Sequence, residues 1–315
     1  MYIRNMYLSR IRGFYNDNLV KILVGMRRCG KSVLMKQIIA ELKQNEVADD
    51  HIIYINCELI ENDALLDYHE LNKYVKSKII DNKIYYLFID EVQMVDNFAR
   101  VVNSLRASLP NISIFITGSN SKLLPAELST ELSGRYIGFK INPFSYKEYI
   151  KYTSKDGYDM DTFWEYVKWG GLPNISSYDN VIKKKEYLNY VYDSILLRDI
   201  VQRLGLKDVD LFNLIIGYLL ETIGREFSAE NISNYLKNEK RIVSTETIYS
   251  YLDALCKAFL IRKVYRYDIH GKATLKTLNK YYMTDLGLAV IKNNNPNIDT
   301  AYLLENVVYN ELISF

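Results

Sequence analysis

The chain has 315 residues, of which 49% are hydrophobic and 25% are charged, and its formal net charge is +2. This length allows two or three domains with packed cores, and the small net charge excludes nucleic-acid binding driven by overall charge alone. Three cysteines without a Cys-x-x-Cys spacing argue against a cysteine-bound metal, and no apolar run approaches the ~20 residues of a membrane span. We therefore expect a soluble, cytoplasmic protein without a membrane partner.

The first strong signal along the chain is a glycine-containing loop between an apolar strand and an apolar helix. The strand is predicted around Leu23, and residues 25–32 read Gly-Met-Arg-Arg-Cys-Gly-Lys-Ser. A phosphate-binding P-loop requires this order, because its backbone N–H groups and the next helix N-terminus surround phosphate oxygens. We expect Lys31 to reach the β- and γ-phosphates of ATP and Ser32 to complete a Mg²⁺ shell. The predicted nucleotide-binding residues are Gly25, Met26, Arg27, Arg28, Cys29, Gly30, Lys31, Ser32 and Val33.

Paired carboxylates end the next strongly apolar strand. Residues 84–89 read Ile-Tyr-Tyr-Leu-Phe-Ile and are followed directly by Asp90 and Glu91. A central parallel strand ends at the ligand crevice of its sheet, so both acids would lie near the phosphates. We expect Asp90 to bind Mg²⁺ through water and Glu91 to orient or deprotonate the attacking water, which indicates hydrolysis. The alternative is that the two acids only cap the next helix.

A third apolar strand, residues 112–116, ends in the polar sequence Thr117-Gly118-Ser119-Asn120. A polar side chain here would lie between the P-loop strand and the Asp90 strand, where it can hold the attacking water or contact the γ-phosphate. Asn120 is the first choice for this role, and Ser119 or Thr117 is the second. A helix N-cap explains the same residues equally well.

Arg135 precedes a strand predicted at residues 137–141. At the end of the domain it could reach the phosphate of a neighbouring subunit and stabilise transition-state charge, which would make self-association part of the mechanism. The alternative is an ordinary structural ion pair.

The second half of the chain is predicted to be mainly helical. Residues 143–178 are aromatic-rich with helical spacing, and residues 181–203 are predicted to form one long amphipathic helix. Helices at residues 211–220, from Ser228 onward and at 244–260 precede strands at 261–267 and 274–283. Three helices followed by a β-hairpin is the order of a winged helix-turn-helix.

This hairpin carries basic residues that are candidates for DNA contact, namely Lys263, Arg266 and Lys272. Such a ribbon could track phosphates, but the preceding helix carries Glu246 and Asp253 and lacks an arginine for guanine edges. We therefore expect no sequence-specific recognition. Non-specific DNA contact and contact with a protein client remain open alternatives.

Together, these residues resemble the AAA+ superfamily and, more narrowly, a family of prokaryotic ATPases whose C-terminal part is largely uncharacterised. The motifs that carry the resemblance lie at residues 25–32, 88–93, 117–120, 133–135, 142–146, 170–173, 197–200, 281–288 and 304–306. The resemblance implies an ATPase core, a small helical segment, a winged-helix domain and a nuclease-like region in which Glu305 matches the first carboxylate. The downstream acidic strand that such a nuclease needs is absent from this sequence, so we expect no nuclease activity.

We therefore predict an α/β fold, a P-loop NTPase of AAA+ type with a parallel sheet and flanking helices, followed by a helical segment and a winged helix-turn-helix domain. The predicted divisions are an ATPase domain at 1–145, a helical lid or connector at 146–208, a winged helix at 209–290 and the start of a truncated nuclease-like domain at 291–315. The predicted catalytic residues are Glu91, Lys31, Asn120 and Arg135, and the predicted Mg²⁺ ligands are Ser32 and Asp90. We expect a Mg-ATP hydrolase that rearranges its winged helix. The alternative is a nucleotide-gated DNA-binding or protein-interaction module in which slow hydrolysis is a timer.

Overall fold

A computed structural model of the chain describes residues 2–119, 134–154, 159–201, 208–222, 224–238, 240–265, 279–292 and 300–314, without the side chain of Arg198. The described residues form two compact units. The first unit contains Met1–Gly25 and Gly30–Ile141, and the second contains Met26–Cys29 and Asn142–Phe315. The middle of the predicted P-loop therefore clusters with the second unit.

The first unit is a five-stranded parallel sheet with helices between its first four strands along the chain. Its elements are α1 (Asn5–Arg12), β1 (Val20–Val24), α2 (Lys31–Gln44), β2 (Ile52–Asn56), α3 (Tyr68–Lys78), β3 (Tyr85–Asp90), α4 (Phe98–Ser108), β4 (Ile112–Gly118) and β5 (Tyr136–Lys140). Short 3₁₀ helices lie at Asp49–His51, Ile60–Leu66 and Val92–Met94. Every residue of β1, β3 and β4 is buried, which explains why these segments read as continuous apolar runs rather than as alternating patterns.

The strand order of this sheet is β2-β3-β4-β1-β5. As predicted, β4 lies between the strand that precedes the glycine loop and the strand that ends in Asp90. Leu23 of β1 is paired with Thr117 of β4, and Ile89 of β3 is paired with Ile116. Because all these strands are parallel, β1, β3 and β4 end side by side at one edge of the sheet, and their following residues start from that edge.

The side chain of Lys21 lies inside this core. Lys21 of β1 is fully buried, and its Nζ donates to the Asp17 carbonyl and to the Ser113 hydroxyl, both at 2.8 Å. Burial lowers the pKa of Lys21 to about 7, although the nearby charge of Asp17 acts in the opposite direction. The ammonium also lies 4.7 Å from the ring centroid of Phe115, so its surroundings combine hydrogen-bond acceptors with an aromatic face.

The second unit is mainly helical and includes a small antiparallel sheet. Its elements are α5 (Tyr146–Thr153), α6 (Met160–Trp169), α7 (Val181–Ser194), a π-helical segment (Ile195–Val201), α8 (Val209–Glu221), β6 (Glu226–Phe227), α9 (Ala229–Asn238), α10 (Thr245–Lys257), β7 (Ile261–Val264), β8 (Asn279–Met283), α11 (Leu286–Lys292) and α12 (Thr300–Leu312). The sheet order is β6-β8-β7.

Most of the predicted elements in this unit are present, with four differences, of which the first is that the helix α11 has no predicted counterpart. The helix predicted at residues 181–203 changes to π-helical geometry at Ile195, and the strand predicted at 261–267 ends at Val264. The short strand β6, which pairs antiparallel with β8, was not predicted, because two residues are too few to show a periodic pattern. The connection at 266–278 lies outside the described residues.

Two sequence motifs far apart in the chain meet at Gly170. This residue has φ = 78°, and a Cβ added to it would lie 2.1 Å from Oδ1 of Asp285. The Asp285 carboxylate accepts the Gly171 N–H at 2.8 Å and is almost completely buried. Burial raises the pKa of Asp285 to about 6, and the backbone N–H donors act against that rise. Only glycine combines this backbone conformation with so close a carboxylate.

None of the helices described combines the length and the apolar character that a bilayer crossing requires.

Candidate functional site

The glycine loop leads directly from β1 into α2, as its sequence predicts. Gly30 is the N-cap of α2 with φ = 99°, a left-handed conformation that favours glycine. Because Gly30 has no side chain, it offers no acceptor to the first N–H groups of α2, which suits a helix N-terminus that binds an anion. Lys31 is 4% exposed, and its Nζ donates to the Gly25 carbonyl at 3.1 Å, so its ammonium turns back towards the start of the loop.

Asp90, Glu91 and Thr117 form a single hydrogen-bonded group at the ends of β3 and β4. The Thr117 hydroxyl donates to Oδ1 of Asp90 and accepts the backbone N–H of Glu91, the latter at 3.0 Å. The other oxygen of Asp90 accepts the Tyr54 hydroxyl at 3.2 Å. Asp90 is 2% exposed and Thr117 is fully buried. Thr117 therefore fixes the direction in which both acids leave the sheet.

Glu91 has an unusual backbone for a residue with a side chain. Its φ is 55° and its ψ is 49°, in the left-handed region that non-glycine residues seldom adopt. Its carboxylate accepts the side-chain amide of Gln93 and the hydroxyl of Ser119, the latter at 3.3 Å. A rare conformation held by several side chains is typical of functional sites, because a purely structural turn would favour glycine here.

The surroundings of the two acids suit a divalent cation. Burial raises the pKa of Cys57 to about 12, and the negative charges of Asp90 and Glu91 act in the same direction. The pKa of Tyr54 is also raised, first by burial and then by the charge of Asp90. This negative potential, together with the hard oxygen donors of Asp90 and Ser32, is the donor chemistry that Mg²⁺ prefers. The residues present therefore fit the predicted ion.

The other predicted nucleotide-binding residues differ in exposure. Met26 and Cys29 are fully buried, whereas Arg28 and Val33 are exposed. Asn120, the first choice for the residue between the two strands, lies outside the described residues. Its two alternatives, Ser119 and Thr117, are both buried and both contact the acidic pair.

Arg135 lies immediately before β5. Its carbonyl accepts the Val20 N–H at 3.0 Å, which ties its backbone to the start of β1. Arg135 is exposed. The pKa of the neighbouring Arg106 is lowered mainly by burial, and the positive charge of Arg135 lowers it further. Arg135 is thus an exposed residue on a backbone held by the first strand of the sheet.

Of the three DNA-contact candidates, Lys263 lies within the described residues, and Arg266 and Lys272 lie outside them. Lys263 is exposed on β7, and its Nζ is 4.9 Å from the ring centroid of Tyr265, which is 67% exposed.

Glu305, which matches the first carboxylate of the nuclease-like region, accepts hydrogen bonds from the Lys280 ammonium at 2.7 Å and from the Tyr282 hydroxyl at 2.5 Å. That carboxylate is thus engaged within the second unit.

Sequence reasoning gave no role to two side chains of the acidic group, Tyr54 and Gln93, although Gln93 ends the motif at residues 88–93. Tyr54 lies on β2, the strand next to β3, and nothing in the alternation of β2 distinguishes it from any other half-buried strand residue. Gln93 follows Glu91 by two residues, and only the left-handed turn at Glu91 lets its amide reach the carboxylate. Neither contact could be predicted from the spacing of residues in the sequence.

Two family models match most of this chain between them. One, described as an AAA domain, matches residues 17–150, and the other, described as a domain of unknown function, matches residues 160–297. An uncharacterised protein of Haemophilus influenzae is 38% identical over 99% of this chain and 79% of its own length. An uncharacterised protein of Methanocaldococcus jannaschii is 32% identical over 94% of this chain and 66% of its own length.

Among solved structures, a Walker-type ATPase of Pyrococcus abyssi is similar, with a TM-score of 0.63 and 17% identity. The similarity covers 93% of this chain and 96% of that chain. At this identity the likeness is one of fold. It agrees with the parallel sheet described above.

Proposed function

This chain belongs to the AAA+-type P-loop ATPases, and we propose that it hydrolyses Mg-ATP and couples the hydrolysis to rearrangement of a winged-helix domain at residues 209–290. The observation that carries the proposal is the group formed by Asp90, Glu91 and Thr117. A site that only binds nucleotide has no need for a second carboxylate held in a rare backbone conformation beside the first.

In this proposal each residue of the site has a distinct role. The loop N–H groups and the Lys31 ammonium would bind the phosphates of ATP. Asp90 and Ser32 would hold Mg²⁺. The ion supplies positive charge that neutralises the phosphate oxygens. Glu91 accepts a proton from the water that attacks the γ-phosphorus, while Ser119 and Gln93 hold its carboxylate in place.

Two further parts of the proposal concern partners. Arg135 would contact the nucleotide of a second copy, which its exposure permits. A winged helix would contact non-specific DNA or a protein client, and Lys263 beside the exposed Tyr265 supports contact with a phosphate backbone. The element order α8, α9, α10, β7, β8 supports the winged-helix assignment.

ATP turnover and ATP binding, measured separately, test this function. We expect Lys31→Ala to lose both, because it removes the charge that meets the phosphates. Glu91→Gln should keep ATP binding and lower turnover by about 10²-fold or more, the usual contribution of a general base. Glu70→Gln, at an exposed carboxylate of α3, is the matched control and should retain wild-type turnover.

Unchanged turnover in both Lys31→Ala and Glu91→Gln would overturn the proposal. Loss of ATP binding in Glu91→Gln would contradict the assignment of Glu91 to the chemical step.

A further inference from the structure

The middle of the glycine loop makes a specific contact that the chemistry at the sheet edge does not use. Nε of Arg27 donates to Oδ2 of Asp199 at 2.6 Å, and Nη2 donates to Oδ1 at 3.1 Å. The side chains are 14% and 2% exposed, respectively. Both residues belong to the second unit, of which Met26–Cys29 is part. The contact is therefore a two-point pair between a largely buried guanidinium and a buried carboxylate, the geometry in which arginine binds most specifically.

Asp199 lies in a rare type of helix. Residues Ile195–Val201, which follow α7 without a break, have π-helical geometry. Such segments are uncommon and occur frequently at functional sites, because they re-aim side chains that a regular helix would point elsewhere. The helical pattern of the sequence predicts a regular α-helix here, so the π-helical geometry is a feature that only the structure shows.

The next loop residue also approaches α7. The charge of Arg28 acts on Tyr187 of α7 and opposes the larger effect of burial, which raises the pKa of that phenol. Arg28 has φ = 65°, a left-handed conformation that is rare for a residue with a side chain. Arg27 thus contacts the π-helical end of this helix, and the charge of Arg28 acts on a tyrosine within it.

This pair bears on phosphate binding because it holds the backbone on which binding depends. A P-loop binds phosphate through backbone N–H groups, so the conformation of Met26–Cys29 decides whether these groups converge. A loop that is already held in its binding conformation loses less conformational entropy when ligand binds. An arginine anchored by a buried carboxylate supplies such an anchor at the centre of the loop.

We propose that Asp199 is a positioning residue for the phosphate-binding loop, and that its pair with Arg27 makes the segment Ile195–Val201 respond to ATP. This inference rests on the proposed function in one respect, namely that the loop binds ATP. Asp199 is not assigned contact with the nucleotide. Asp199 acts through Arg27. A variant that changes the affinity for ATP should therefore also change the hydrogen exchange of the π-helical segment.

The test is ATP affinity combined with hydrogen–deuterium exchange of residues 195–201, both measured on the full chain. In the wild type, ATP should change the exchange of this segment. Asp199→Asn should weaken ATP binding by about tenfold, within the range typical of coupled sites, and should abolish the ATP-dependent change. Asp193→Asn, which removes the exposed partner of Lys292 from the same helix, should leave both readouts at their wild-type values.

A double variant keeps the test decisive if Asp199→Asn fails to fold. Arg27→Gln together with Asp199→Asn removes both charges of the pair, so the guanidinium is not left without the carboxylate that faces it. If the two residues act as one unit, the double variant should lose the ATP-dependent change in hydrogen–deuterium exchange. It should bind ATP no more weakly than Arg27→Gln alone or a folded Asp199→Asn alone.

The outcomes separate the two proposals. If the wild type binds ATP and both variants keep wild-type affinity and exchange response, the positioning role is wrong and the proposed function stands. If the wild type does not bind ATP, both are wrong. A folded Asp199→Asn protein that binds ATP normally but melts at a lower temperature would assign the pair a purely structural role.

Discussion

Thr117→Val tests the idea that one hydroxyl organises both acids of the site. The substitution keeps the shape of the side chain and removes the group that donates to Asp90 and accepts from the Glu91 N–H. Thr117 is fully buried at the end of β4, so water cannot take the place of the hydroxyl without a rearrangement.

The magnitude follows from these two bonds. Each buried polar group left without its partner costs about 1–3 kcal/mol, and Thr117→Val affects two such groups, so the free energy of unfolding should fall measurably. Groups that orient a metal-binding carboxylate typically change activity about 10–100-fold when removed. We therefore expect a fall in kcat of that order with little change in ATP affinity, because the loop and Lys31 are untouched.

The assay is steady-state ATP hydrolysis together with urea denaturation. Thr117→Ser is the matched control, since it keeps the hydroxyl and should retain most of the activity. Wild-type kcat in Thr117→Val, measured under conditions where the variant is folded, would refute the reasoning. Thr117 would then support the sheet without organising the acids.

Two further predictions concern the core and the thiols. Burial lowers the pKa of Lys21 in the folded protein to about 7, below the value of 10.5 for an exposed lysine. Between these two pH values the unfolded chain binds more protons than the folded protein. The free energy of unfolding of the wild type therefore rises with pH across that window. The free energy of unfolding of Lys21→Met, relative to wild type in urea titrations, should therefore fall by about 3 kcal/mol from pH 6 to pH 9. Lys36→Met, at an exposed lysine, is the control, and a pH-independent difference for Lys21→Met would contradict the assignment. Iodoacetamide should label Cys256 before the buried Cys29 and Cys57, as followed by peptide mass spectrometry, and faster labelling of Cys29 would show that the loop opens readily.

The site at the edge of the parallel sheet shows how much of the structure local sequence patterns predict. The apolar runs predict β1, β3 and β4, and the residues that follow them predict a phosphate-binding loop, an acidic pair and a polar end. Parallel strands bring those ends to one edge, so the location of the site follows from the sequence and one general rule. The contact between Thr117 and Asp90 did not follow from the sequence, because the register of β4 against β3 decides which side chain of β4 meets that carboxylate.

The second unit shows the opposite case. The sequence predicts a helix through Asp199, and only the tertiary structure shows that its carboxylate pairs with Arg27, 172 residues earlier. The same holds for Asp285, which accepts the N–H of Gly171 across 114 residues. Such pairs have no period that a window of sequence could detect, since their partners are set by how the elements pack.

Sequence alone therefore determined the features that arise from short stretches of this chain. These are the strands of the parallel sheet, the P-loop, the position of Asp90 and Glu91, and the family to which these motifs belong. These follow from hydrophobic period, glycine conformation and spacing within a few residues. Tertiary structure decided the partners of those residues. Thr117 joins the two acids, and Asp199 anchors the loop, because hydrogen bonds and ion pairs depend on which side chains packing brings within about 3 Å.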